Sequence, residues 1–128
     1  MTLNPVPLVL VIEPDAVQRD LIQIALTRIG CSVKLTRDPD QISTILTKDH
    51  PSLLIMDTFI PGSSGLEILK ELHQKKLLKH TRVMFVSSFG FSEIIQQAKD
   101  LGVTEFLMKP LDVDDFTRRV HKLLKINY

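Results

Sequence analysis

The sequence has too little cysteine for a stapled fold. Cys31 is the only one, so no internal disulfide can form and a disulfide-dependent secreted domain is excluded. The thiol reads as a small buried hydrophobe. The chain also lacks an excess of either charge: sixteen Lys and Arg against fifteen Asp and Glu leave a net charge of +1, which does not suit a bulk nucleic-acid or membrane binder. The densest basic stretch, Lys70 to Lys79, is broken by Glu71 and by leucines and reads as a solvated helix face and loop. No apolar run approaches the roughly 20 residues that span a bilayer. The first residues lack the basic start and separate apolar segment of a signal peptide. His50, His73, His80 and His121 show no metal-ligand spacing. These absences point to a cytoplasmic chain.

What is there is ordinary globular composition, 44% hydrophobic and 24% charged over 128 residues, which is enough for one domain and too little for two. Short apolar runs alternate with stretches of helical period. Leu8–Ile12 has no polar face, as expected of a strand covered on both sides. Val17, Leu21, Ile24 and Ala25 then recur at helical spacing, with Gly30 as the stop. Ser32–Thr36 is a short second strand. Asp38-Pro39 reads as an N-cap followed by proline in the first turn, opening a helix with Ile42, Ile45 and Leu46 on its buried stripe. Leu53–Met56 is the third strand. The loop Asp57 to Gly62 follows it, and Ser63 or Ser64 caps a helix carrying Leu66, Leu69 and Leu72.

Arg82–Val86 is the fourth strand. Ser92 is placed as the cap of a helix with Ile94, Ala98 and Leu101, ended by Gly102. Glu105–Met108 is the fifth strand. Asp112, with Asp115 three residues on, opens the last helix, in which Val113, Phe116, Val120, Leu123 and Leu124 hold helical spacing. Five strands, each followed by a helix, predict an α/β fold with a parallel sheet, helices on both faces and right-handed crossovers. The whole chain, residues 1–128, reads as a single domain with its core at about 8–124.

In such a sheet, ligands sit outside the carboxyl ends of the strands. Glu13-Pro14-Asp15 follows the first strand, Asp57 the third, Ser87 and Ser88 the fourth, and Lys109-Pro110 the fifth. Acids, a hydroxyl and an ammonium therefore converge at one edge. A carboxylate can attack phosphorus. Phosphoryl transfer requires neutralisation of the equatorial oxygens, commonly by Mg²⁺ and a lysine. Mg²⁺ takes one or two carboxylates and keeps several waters.

From about Leu8 to Leu124 this pattern resembles the receiver domain of two-component response regulators, a CheY-like family. The residues that carry the resemblance are Asp57 with the following loop to Pro61-Gly62 and Gly65, Ser87 at the end of the fourth strand, Lys109-Pro110 at the end of the fifth, and Phe106 three before the lysine. Each match alone is weak; their order and placement make them specific. The resemblance implies a flavodoxin-like, three-layer (βα)5 fold with strand order 2-1-3-4-5 and a cis Lys109-Pro110 bond. It implies Asp57 as a phosphoacceptor served by a histidine kinase or phosphotransfer protein, with Ser87 and Lys109 contacting the phosphoryl group and Phe106 as a switch residue. It further implies Mg²⁺ held by Glu13, Asp57 and the Phe59 backbone carbonyl. Such a domain is a signalling switch rather than an enzyme, and its downstream partner is a protein, with no direct nucleic-acid or membrane contact.

The chain departs from the family at one place. The family ends its first strand with two adjacent acids, and here Pro14 stands at the second, supplying neither carboxylate nor N–H. Asp15 comes one residue late, either as a metal ligand or as a cap for the first helix. Two readings follow. Glu13 takes over the metal, more weakly, or the domain is a pseudo-receiver that binds a partner without phosphorylation. Phe59 and Phe89 each lie two residues beyond a site residue, at positions that flank the acyl phosphate in the family. As bulky apolar groups they predict slow autodephosphorylation. A flavin or enzyme reading is disfavoured, because Glu13–Val17 is not a phosphate-binding loop.

Overall fold

The computed structural model describes residues 6–124. Its elements, in chain order, are β1 (Leu8–Ile12), α1 (Ala16–Arg28), β2 (Ser32–Leu35), α2 (Pro39–Asp49), β3 (Leu53–Asp57), β4 (Phe59–Ile60), β5 (Ser63–Ser64), α3 (Gly65–Gln74), β6 (Arg82–Ser87), α4 (Ser92–Asp100), β7 (Glu105–Met108) and α5 (Val113–Leu124). Five strands form one parallel sheet in the order β2-β1-β3-β6-β7. With the two-residue β4 and β5 set aside, this is the expected order 2-1-3-4-5. β4 and β5 pair as a small antiparallel hairpin within the stretch expected to be plain loop, turning at Gly62, whose φ is +77°.

The apolar runs become strands because both faces of the sheet are covered. Val9, Val11, Leu53, Ile55, Met84 and Val86 face a core completed by Ile22 and Leu26 of α1 and by Phe116, Val120 and Leu123 of α5. Leu10, Ile12, Leu54, Met56 and Phe85 face the other way, onto Ile42 and Leu46 of α2, Leu69 and Leu72 of α3 and Ala98 of α4. Alternation along each strand thus feeds two separate cores. Cys31 is buried in the first, and burial pushes its thiol pKa up to about 11. Glu105, the buried acid of β7, is neutralised by Arg119 at 2.8 Å, with Lys122 at 3.5 Å.

Helix starts follow local chemistry. The Asp38 side chain accepts from Asp40 N with Pro39 in the first turn, Ser64 accepts from Glu67 N, and Asp112 accepts from Asp115 N. Three expectations are corrected. β2 ends at Leu35 rather than Thr36. Ser92 does not cap α4: Phe91 holds the N-cap position, with no side-chain hydrogen bond. The α1 stripe is Ile22, Ala25 and Leu26, backed by Leu21 and Ile29, while Val17 and Ile24 are exposed at 73% and 51%. Residues 17, 21, 24 and 25 do fall at helical spacing, but 22, 25, 26 and 29 do too, and the latter set includes the two positions that close on the sheet.

Candidate functional site

Parallel register gathers the site. Ile12 pairs with Met56, Asp57 with Val86, and Ser87 with Met108, so the next residues along β1 and β7 are Glu13 and Lys109. The strand ends therefore deliver Glu13, Asp57, Ser87 and Lys109 to one edge. Glu13, Asp57 and Ser87 are 1%, 6% and 0% exposed. The Lys109 peptide N–H donates to the Ser87 carbonyl at 2.7 Å, and the Lys109–Pro110 bond is cis, as expected.

The Lys109 ammonium sits between both carboxylates. Nζ contacts Glu13 Oε1 at 2.5 Å and donates to Asp57 Oδ2. Asp57 Oδ1 accepts the Phe59 N–H at 2.8 Å. Glu13 Oε2 accepts the Asp15 N–H at 3.1 Å, and Arg19 donates to the Glu13 carbonyl. Burial raises the Glu13 carboxyl above its ordinary value, an effect only partly opposed by Lys109 and the Asp15 N–H; the nearby Asp57 adds to it. Burial alone would lower the Lys109 ammonium, but its hydrogen bonds to Asp57 and Glu13 outweigh this and raise it. Two buried carboxylates share one cation, a charge arrangement receptive to a further cation.

The residues fit a Mg²⁺ ion on one observation. Apart from its ion contact with Lys109, the buried Glu13 Oε1 accepts no hydrogen bond. The donor set is small, since among the described residues no group of three or more His, Cys, Asp or Glu side chains could hold a metal. Two carboxylates still lie within what Mg²⁺ uses when waters complete its shell. Asp15 is not brought in: its side chain accepts from Val17 N and Gln18 N as the cap of α1.

Phe59 and Phe89 meet edge to face at 5.4 Å, and Phe89 stacks on Phe91 at 5.6 Å, all three about half exposed beside the site. Phe106 is half-buried, its ring edge-on to Phe85 at 6.0 Å. Sequence reasoning named Gly65 only as part of the loop pattern and missed Thr58. Gly65 is required by close approach: a Cβ there would stand 2.3 Å from the Asp57 carbonyl oxygen. Thr58 is buried with its hydroxyl 2.6 Å from that of Ser87. A polar β-branched residue directly after Asp57, inside an otherwise apolar run, was the available signal.

Comparison with known proteins agrees with the fold. The family described as "Response regulator receiver domain" matches residues 9–121. Sporulation initiation phosphotransferase F of Bacillus subtilis is 36% identical over 86 residues, covering 67% of this chain and 68% of that protein. The phosphate regulon transcriptional regulatory protein PhoB of Pseudomonas aeruginosa is 21% identical over 117 residues, and the chain spans about half of that protein, 51% of its length against 91% of its own. Among solved structures, a response regulator receiver protein from Pseudomonas putida is 25% identical with a TM-score of 0.82, covering 91% of this chain and 97% of that one. The signal receiver domain of a Luxo repressor protein from Vibrio parahaemolyticus, at 22% identity and a TM-score of 0.85 over 94% and 91% of the two chains, bears on the fold alone. The chain belongs to the response regulator receiver domain family, a family of signalling domains.

Proposed function

We propose that this domain is a phosphoacceptor. An Asp57 carboxylate oxygen attacks the phosphorus of a phosphohistidine on a histidine kinase or phosphotransfer protein. An O–P bond forms as the N–P bond breaks, and the imidazole leaves on the donor protein. The observation that carries this reading is the buried Glu13–Lys109–Asp57 contact with Ser87 beside it. Lys109, already on Asp57 Oδ2, pairs with the transferred group, and the Phe59 N–H steadies the other oxygen. Ser87 supplies a hydroxyl to the phosphoryl oxygens. Glu13, Asp57 and the Phe59 carbonyl would hold Mg²⁺, which supplies charge neutralisation at those oxygens when bound. Phosphorylation shifts the population toward a partner-binding state, with Phe106 as the switch residue. The setting we propose is the cytoplasm; among the described residues no helix is long and apolar enough to cross a membrane.

The test is incubation with a small phosphodonor and Mg²⁺, followed by intact mass. Wild type is expected to gain one phosphoryl mass and Asp57→Ala none. A gain that survives Asp57→Ala overturns the site. One observation favours a second reading: Pro14 holds the second acid position and Asp15 is committed to capping α1. No gain in wild type would support that pseudo-receiver, a module that binds its partner without phosphorylation.

A further inference from the structure

Thr58 lies between the phosphoacceptor candidate and the hairpin, and its backbone is held on both sides. Its N–H donates to the Val86 carbonyl at 3.3 Å, and its carbonyl accepts the Gly65 N–H at 2.9 Å. Its side chain is buried with Oγ1 2.6 Å from Ser87 Oγ. Ser87 Oγ also donates to the Phe89 carbonyl at 2.9 Å and accepts the Phe89 N–H at 3.0 Å. A serine hydroxyl has one proton and two lone pairs. With the proton on the Phe89 carbonyl and one lone pair on the Phe89 N–H, the Thr58 hydroxyl donates to the remaining lone pair. The hydrogen-bonding capacity of Ser87 is thus filled by Thr58 and Phe89, and the two oxygens of Asp57 are engaged separately by Phe59 and Lys109.

We propose that Thr58 is a positioning residue that latches Ser87 in this arrangement, so that the Ser87 hydroxyl turns to a phosphoryl group on Asp57 at the cost of the Thr58 contact. The latch biases the switch toward its unphosphorylated state. That consequence rests on reading Asp57 as the phosphoacceptor; the latch in the free protein does not. Because the bond lies entirely within the buried site, solvent does not replace it when it breaks.

The amide of Phe89 reports the position of Ser87 and can be followed by NMR in the 15N-labelled full chain. Ser87→Ala marks where that resonance falls without its acceptor. In the free protein, Thr58→Val, which keeps the shape and removes the hydroxyl, is expected to move the Phe89 amide toward the Ser87→Ala position. Thr58→Ser, which keeps the hydroxyl, is expected to stay with wild type, and Thr58→Ala serves if the valine variant does not fold. Beryllium trifluoride with Mg²⁺, a mimic of the acyl phosphate, should then bind Thr58→Val about fivefold tighter than wild type, the size of one neutral hydrogen bond. An unmoved Phe89 amide in Thr58→Val, or an equal movement in Thr58→Ser, overturns the latch. A moved amide with unchanged fluoride affinity overturns its effect on the switch. If wild type takes up no fluoride, it is the phosphoacceptor reading that fails, and the free-protein amide shifts still decide the latch.

Discussion

At the residue scale, Glu13 and Asp57 share the single Lys109 ammonium in a buried edge. The Glu13 carboxyl is raised above its ordinary 4.5 by burial. A carboxyl raised on folding favours the folded chain fully below pH 4.5 and loses that contribution as the pH climbs through the raised value. Lys109→Met removes a contact that holds Glu13 down, so the raise grows. The variant is expected to lose about 3 kcal/mol at pH 7, the cost of orphaning a buried charge, and less at pH 5; urea unfolding at the two pH values checks both. Equal stability of variant and wild type at pH 7 would refute the account. Glu13→Ala, with one of two carboxylates gone, is expected to weaken Mg²⁺ binding about tenfold or more, by titration against wild type; an unchanged affinity would remove Glu13 as a ligand. Phe59 and Phe89, joined edge to face beside Asp57, are expected to slow water attack on an acyl phosphate. Polar substitution of both should speed loss of the phosphoryl group several-fold, followed by mass, and no change would leave the pair as packing alone. Glu13, Asp57, Ser87 and Lys109 were legible in the sequence because each directly follows an apolar run, and a parallel sheet aligns such residues. Thr58 was legible only as a polar residue out of place after Asp57; its hydroxyl partner, 29 positions away, leaves no trace in local pattern.

At the scale of elements, caps and stripes differ in how clearly the sequence writes them. Asp38 with Pro39 is read correctly because a side-chain acceptor at the N-cap has one obvious use there, and of the two serines offered for α3, Ser63 and Ser64, the structure selects Ser64. Ser92 misleads for the same reason: it has the right chemistry but falls one residue inside α4, where Phe91 takes the cap position without a hydrogen bond. Ser64→Ala is therefore expected to cost about 1 kcal/mol and Ser92→Ala close to nothing in urea unfolding; equal losses would contradict the assignment. The α1 stripe fails differently. Two apolar sets satisfy the same period, and only packing against β1 and α5 selects Ile22 over Ile24. Ile22→Ala should cost about 3 kcal/mol as a core truncation, whereas Ile24→Ala, half in water, should fall under about 1 kcal/mol.

At the scale of the whole molecule, stability is distributed unevenly around the sheet. β1, β3 and β6 are buried almost throughout, and α1, α3 and α5 each place three or more residues in the cores. α4 buries Ala98 alone and has no side-chain cap. Few buried contacts and an uncapped start mean a low free energy of local opening. This weak element packs on the core that also receives the half-buried Phe106, whose ring leans edge-on against Phe85 in β6, the strand that ends in Ser87. A displacement of Ser87 therefore has a short path through β6 and Phe106 to the least anchored helix, and little purchase on α1 or α5, which sit in the opposite core. Native-state hydrogen exchange in the unmodified chain is expected to show the amides of α4 opening first among the helices and those of β1 and β3 last. The acyl-phosphate mimic should then change exchange mainly in α4 and β7. Protection of α4 equal to that of α5 would mean that the sparse packing of α4 does not set its opening, and a mimic effect centred on α1 would place the transmitted change on the wrong face of the sheet for Phe106 to carry it.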